Sequence, residues 1–297
     1  MPRERMLEVA EHYYHFGGVS PINGQMRELI PLLEAELRAR GQQIPVYWGN
    51  RNWQPMLADT VRKMRDDGVK RAVAFVMSAY SSYSGCRQYL EDIARARDAV
   101  GPGAPAIDKL RLFFNHPGFI EPMAENVAVA LAQVPKAALV YTAHSVPVSM
   151  AATSQYEVQL KEACRLVSER VGRGDWRLVY QSRSGPPSQP WLAPDIGEYL
   201  REAHNAGVRE VVIAPIGFIS DHMEVLFDLD TEARTLCDEL GITLVRAATV
   251  GNHPAFVSMI AELARERMGE SAARALGNLG PSADECRPDC CTPPRRG

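Results

Sequence analysis

The chain has 297 residues, 46% hydrophobic and 23% charged, a balance that suits packed globular domains and excludes a disordered or fibrous chain. Its 33 basic and 36 acidic residues leave a net charge of −3, too little to recruit nucleic acid by charge. No apolar run approaches the ~18–20 residues of a membrane span, and the charged start MPRERMLEVAEHYY lacks the apolar centre of a signal peptide. The expectation is a soluble cytoplasmic protein.

In chain order, a Gly-rich loop, Phe16-Gly17-Gly18-Val19-Ser20-Pro21-Ile22-Asn23, comes first. It lacks the G-x-G-x-x-G spacing of a dinucleotide site, but its glycines permit close backbone approach and Ser20 and Asn23 offer hydrogen bonds. Helical spacing covers 25–40 and 54–67, with a short apolar run at 44–48 between them. Further apolar runs at 72–77, 110–114, 138–142, 177–181, 210–215 and 242–247 read as strands, and 156–171 and 231–240 as helices. Strands alternating with helices imply βαβ units, hence parallel sheets covered on both faces. The expected class is α/β.

The two halves resemble each other. Gly68-Val69-Lys70-Arg71 opens one strand and Gly207-Val208-Arg209-Glu210 another. Downstream at similar spacing lie Asn115-His116-Pro117-Gly118-Phe119 and Asn252-His253-Pro254-Ala255-Phe256, and Arg51 and Arg183 each close the strand before. A duplicated domain follows: a first α/β unit over 1–135, a second over 136–255, a C-terminal helix over 256–275 and a Cys-rich tail over 276–297. The second copy opens with a strand, AALVYTAHSV, that has no counterpart in the first, so the first unit is expected to lack its opening strand.

Several residues have the chemistry of a site. His144 ends an apolar strand, where open α/β sheets place ligands; it is either a hydrogen-bonded histidine closing that strand or a proton carrier near neutral pH. Glu224, Asp228 and Glu232 are spaced i, i+4, i+8, one stripe on a regular helix. Such a stripe is either a solvated face or a path for a divalent cation, which hard oxygen ligands suit. Tyr13, Tyr14, Tyr80, Tyr83, Tyr89 and Trp191 serve as core and rim residues or as walls for a flat apolar ligand. Cys286, Cys290 and Cys291 crowd a tail without apolar periodicity, and C-x3-C-C matches no common zinc spacing.

The segments YHFGGVSPIN, GNRNWQP, SAYSSYSGCRQY, VYTAHSVP, YQSRSGPPSQPWL and APIGFISDHMEVLFDLD together resemble the ferrochelatase family, most closely the actinobacterial coproporphyrin ferrochelatases. The resemblance is collinear from about residue 3 to residue 267. It implies two similar Rossmann-like domains flanking a porphyrin cleft, in a lyase that inserts Fe2+ into coproporphyrin III; protoporphyrin IX is the alternative ring. It matches His144 to the catalytic histidine that accepts pyrrole protons or holds iron, and Glu224 to its partner carboxylate. Asp228 and Glu232 match the acidic iron path, and Ser20, Arg51, Tyr89 and Trp191 match porphyrin-contacting positions. Some members hold a [2Fe–2S] cluster on one body cysteine and three near the C-terminus. Cys286, Cys290 and Cys291 supply three ligands, with Cys86 the best match for the fourth, Cys164 the runner-up, and Cys237 expected in the core. Tail thiols without a cluster are the other reading. The resemblance also implies a first strand and Gly-rich loop some thirty to forty residues upstream of Pro2, a monomeric state, no nucleic-acid partner, and transient contact with neighbouring haem-pathway enzymes. Two other readings remain: a porphyrin-binding protein without turnover, and an iron–sulfur sensor.

Overall fold

The structure, a computed structural model, describes residues 14, 17, 18, 21–186, 188–287 and 289–293. Two helices come first, α1 (Ile22–Ala39) and α2 (Leu57–Asp66), followed by strand β1 (Arg71–Ala74). A π turn (Tyr83–Arg87) leads into α3 (Gln88–Val100), then β2 (Ala106–Lys109) and α4 (Pro117–Gln133). The second half runs β3 (Ala138–His144), a short α5 (Val148–Ala151), α6 (Tyr156–Arg170), β4 (Trp176–Gln181), α7 (Ile196–Asn205) and β5 (Glu210–Ala214). It closes with α8 (Met223–Phe227), a second π turn (Asp228–Ala233), α9 (Arg234–Leu240), β6 (Thr243–Arg246) and α10 (Pro254–Arg267).

Every ladder is parallel, as the alternation of strands and helices requires. β1 pairs with β2 from Arg71↔Ala106 to Ala74↔Lys109. The second sheet has the order β4-β3-β5-β6, with β3 flanked on both sides. β3 and β5 carry almost continuous buried runs, LVYTA and VVIA, the signature of strands covered on both faces.

Two expected strands differ. Residues 44–48 are extended but join no ladder; their counterpart in the second half is β4, which pairs with β3, and the described first half offers no strand in the place of β3. The run 110–114 is not a strand either. The strand is the more polar 106–109, and the apolar residues after it leave the ladder to bury Leu110, Leu112, Phe113 and Phe114.

The repeated Asn-His-Pro segments start the two helices that join the halves. His116 and His253 are their N-caps, each accepting through Nδ1 from a backbone N–H two residues on, Gly118 at 3.0 Å and Ala255 at 3.2 Å. Pro117 and Pro254 occupy the first turns, where a missing N–H costs nothing. α4 packs on α6, β5 and β6 of the second half, and α10 packs on α1 and α4. Gly118 stands at their crossing: a Cβ there would lie 2.6 Å from the Ala255 carbonyl oxygen. Phe119 and Phe256, one from each repeat, are fully buried and meet Phe113 at ring-centroid distances of 5.7 and 5.8 Å. One apolar cluster therefore runs from Leu29 to Ala264 across both halves, and each such ring contributes about 2–3 kcal/mol of burial.

Candidate active site

His144 is the last residue of β3, directly opposite Gln181 in the ladder with β4. Its loop is anchored on three sides. Ser145 N donates to the Gln181 carbonyl at 2.8 Å, Ser145 Oγ donates to the Leu192 carbonyl at 2.9 Å, and the buried Tyr156 hydroxyl donates to the His144 carbonyl at 2.9 Å. From below, Gly217 lies so close to β3 that a Cβ would sit 2.6 Å from Ala143 Cα, which only glycine accommodates.

The ring is oriented as well. His144 Nδ1 lies 2.5 Å from the Ser145 carbonyl oxygen. A carbonyl only accepts, so Nδ1 carries the proton and the neutral ring presents a bare Nε2. That nitrogen faces Glu224 Oε2 at 3.8 Å, with the two side chains 34% and 50% exposed. A proton arriving at Nε2 therefore finds a carboxylate beside it.

Glu224 is set by its own helix. His222 caps α8, its Nδ1 accepting from Glu224 N at 3.2 Å. The His222 ring lies edge-on to Phe218 at 5.2 Å. Burial holds it below the usual histidine range, and His144 adds to this while Glu224 and Asp221 oppose it.

Asp228 follows one turn later. Gln181 Nε2 donates to its Oδ2 at 3.2 Å and to the Glu224 carbonyl at 3.1 Å, and the Ser182 hydroxyl donates to the same Oδ2. Burial pushes the Asp228 carboxyl above the usual range; these hydrogen bonds and His144 pull against it, and Glu224 adds to the rise. The expected i, i+4, i+8 stripe is not one regular helix, because α8 stops at Phe227 and residues 228–233 form a π turn. Its i→i+5 pattern widens the turn between Asp228 and the exposed Glu232.

Arg246, at the end of β6, went unnoticed in the sequence. It pairs with Asp230 at 2.6 Å and with Asp221 at 3.1 Å, tying the residues before and after α8 to the sheet. Nothing in an isolated strand-end arginine signals this.

Arg51 and Tyr89 come together. The guanidinium lies 3.8 Å from the Tyr89 ring centroid, its Nε 2.5 Å from Asp92 Oδ2, and its buried Nη2 has no partner among the described residues. Trp191 forms an antiparallel bridge with Pro147, just after His144, and its buried Nε1 likewise has no partner among the described residues. Ser20 and Tyr13 lie outside the described residues. Neighbouring Gly17 and Gly18 both adopt φ of +78°.

The thiols converge. Cys86, in the first π turn, contacts Cys286 and Cys291; Cys286 contacts Cys290; and Cys290 Sγ lies 3.5 Å from Cys291 Sγ. Cys164 stands apart, fully buried among Tyr80, Tyr141 and Tyr180, and Cys237 is in the smaller core cluster. The tail, without apolar periodicity in its sequence, is nevertheless held to the body by hydrogen bonds. Arg87 donates to the Cys290 carbonyl at 3.1 Å, Cys291 N donates to the Thr153 carbonyl at 2.9 Å, and Asn115 holds the carbonyls of Leu276 and Gly280. Among the described residues no three His, Cys, Asp or Glu side chains are arranged to hold a metal ion as they stand, and no helix is long and apolar enough to cross a membrane.

Comparison with known proteins shows the family and the fold. The ferrochelatase family model matches residues 1–268. A ferrochelatase of Rhodopirellula baltica is 56% identical over 303 residues, spanning 100% of this chain and 86% of its own. A coproporphyrin III ferrochelatase of Nocardia farcinica is 48% identical over 314 residues, spanning 100% and 89%. Among solved structures, SirB from Bacillus subtilis with Fe3+ aligns with a TM-score of 0.58 at 13% identity, over 82% of this chain and 91% of SirB. CbiX, the terminal enzyme of sirohaem biosynthesis in denitrifying bacteria, aligns at 0.52 and 15% identity, over 83% and 93%. At such identities these two speak to the fold alone. The chain belongs to the ferrochelatase family, lyases that insert iron into porphyrins.

Proposed function

We propose that the protein inserts Fe2+ into coproporphyrin III, with His144 as the proton acceptor. The carrying observation is His144 Nε2 facing Glu224 Oε2 at 3.8 Å. Metalation exchanges two pyrrole protons for one Fe2+. His144 Nε2 takes the two pyrrole protons one after the other, and Glu224, half exposed, stabilises each imidazolium and passes its proton to solvent. Asp228 and Glu232 then form the route along which a hydrated cation is relayed, since hard oxygen ligands exchange it readily. Arg51, Tyr89, Trp191 and Ser20 contact the porphyrin: the unpartnered Arg51 Nη2 suits a ring carboxylate, and the aromatic residues suit its flat face. The coproporphyrin preference is supported by the name of the Nocardia farcinica relative, whereas the Rhodopirellula baltica relative is named a ferrochelatase only. Absorbance assays with coproporphyrin III and protoporphyrin IX side by side test it. A higher kcat/KM is expected for the four-carboxylate ring; equal or lower values sink that preference.

The acidic route makes its own expectation. Asp228→Asn and Glu232→Gln should raise the KM for Fe2+ severalfold while changing the KM for porphyrin little. Unchanged Fe2+ dependence in both variants would return these carboxylates to a solvated face.

Cys86, Cys286, Cys290 and Cys291 are the residues that would hold a [2Fe–2S] cluster. The donor set fits in number and proximity, since Cys286 and Cys291 both contact Cys86 and Cys290 contacts both of them, and four thiolates are the usual requirement. When bound, such a cluster supplies metal–thiolate bonds that fasten the tail to the first half of the chain.

A further inference from the structure

The end of β4 places two polar side chains against the acidic route, and neither belongs to the residues assigned so far. Gln181 is 1% exposed, and its amide nitrogen reaches both the Glu224 carbonyl and Asp228 Oδ2. Both are acceptors, so the amide is forced into the orientation that donates to them. Its Oε1 is left buried without a partner among the described residues, an arrangement that costs stability and is retained where the donor is needed. Ser182 shows the same compromise in its backbone. It sits at φ +61°, a left-handed conformation uncommon for a residue other than glycine, and from there its hydroxyl donates to Asp228 Oδ2. Two donors from consecutive residues thus converge on one carboxylate oxygen. Gln181 also lies opposite His144 in the sheet register, so one strand end connects the histidine, the backbone of its partner and the next acid.

We propose that Gln181 and Ser182 are positioning residues that clamp the Asp228 carboxylate by Oδ2, leaving Oδ1 directed to the cation on its way to Glu224. The proposal rests on the reading of Asp228 as part of the iron route. With Oδ2 saturated, the carboxylate presents one free oxygen in one orientation. Without the clamp the carboxylate rotates, while the π turn that carries it stays tied to β6 through Asp230 and Arg246.

Fe2+ and porphyrin saturation kinetics of four variants test this. Ser182→Gly removes the hydroxyl but keeps the φ +61° backbone, which glycine adopts freely, so its fold is preserved. Gln181→Met keeps the side-chain volume and removes the donor. Each is expected to raise the KM for Fe2+ severalfold, no further than Asp228→Asn does, because each removes a hydrogen bond to that charged group, with the porphyrin KM within about twofold. A Ser182→Gly/Asp228→Asn double variant should be no worse than Asp228→Asn alone, because the hydroxyl acts through that carboxylate. If Asp228→Asn raises the Fe2+ KM and neither clamp variant does, the clamp is overturned and the route stands. Additive losses in the double variant also overturn the clamp. If Asp228→Asn leaves the Fe2+ KM unchanged, the route itself fails and the clamp fails with it.

Discussion

His144→Ala is expected to lower the rate of Fe2+ insertion by about 10²–10⁴-fold, the range for losing a positioned general base, while the protein remains folded. The ring is 34% exposed, its hydrogen bond is to the adjacent Ser145 carbonyl, and its outward nitrogen faces Glu224. The loop that carries it is held by backbone and neighbouring side chains, among them Tyr156 and Ser145, and alanine leaves those bonds in place. Circular dichroism and melting temperature should therefore match the wild type. Glu224→Gln keeps shape and removes charge, and is expected to fall in the same range if proton hand-off depends on the carboxylate. Turnover near wild type in purified His144→Ala would remove the histidine from the mechanism; an insoluble or unfolded variant would show instead that the ring has a structural role absent from its contacts.

The class of the fold was legible because the buried strands of a parallel sheet are short continuous apolar runs. β3 and β5 are of that kind, and both were located to within two residues. Residues 44–48 show the limit of such a pattern. Their composition suits a strand, but a strand exists only with a hydrogen-bonding neighbour, and the described first half supplies none. Residues 110–114 fail for another reason: apolar residues leaving a ladder to fill a core look the same in sequence as those within it. The repeated Asn-His-Pro segment was read as a sign of duplication, and the structure shows that it starts both α4 and α10. That each histidine caps a helix was not legible, since the cap depends on which ring nitrogen meets which N–H.

At the site, the ends of elements were easier to find than the tertiary bonds between them. His144 stood out because it ends a buried strand, and Arg51 and Tyr89, 38 residues apart in sequence, stack on each other. The acidic stripe was drawn on a regular helix, and the π turn at 228–233 changes which carboxylates share a face. Gln181, Ser182 and Arg246 were missed. Each acts only through a residue from another element, Asp228 for the first two and Asp221 and Asp230 for the third, and no local spacing encodes such a pairing.

Cys86→Ser is expected to abolish the reddish-brown chromophore that a [2Fe–2S] cluster would give anaerobically purified protein, and to loosen the tail while its hydrogen bonds to the body remain. The argument begins with placement. Cys86 belongs to the π turn before α3, and the three C-terminal cysteines arrive there from roughly 200 residues away along the chain. The tail is already seated by hydrogen bonds that the Arg87 and Asn115 side chains and the Cys291 backbone N–H donate to backbone carbonyls, so the thiols meet before any metal binds. Preassembly lowers the ordering entropy that cluster ligation has to overcome. Serine supplies no thiolate, so the variant should lose cluster absorbance and acid-labile sulfide together, and proteolysis should cut the tail faster. Cys237→Ser and Cys164→Ser should keep the colour, since both thiols are buried in apolar surroundings away from the tail. Cys164→Ser should also melt earlier, because it buries a hydroxyl in a site built for sulfur. Loss of colour with Cys164→Ser but not with Cys86→Ser would reassign the fourth ligand against the geometry. Anaerobic wild type without inorganic sulfide would leave the four thiols as a packed contact and nothing more.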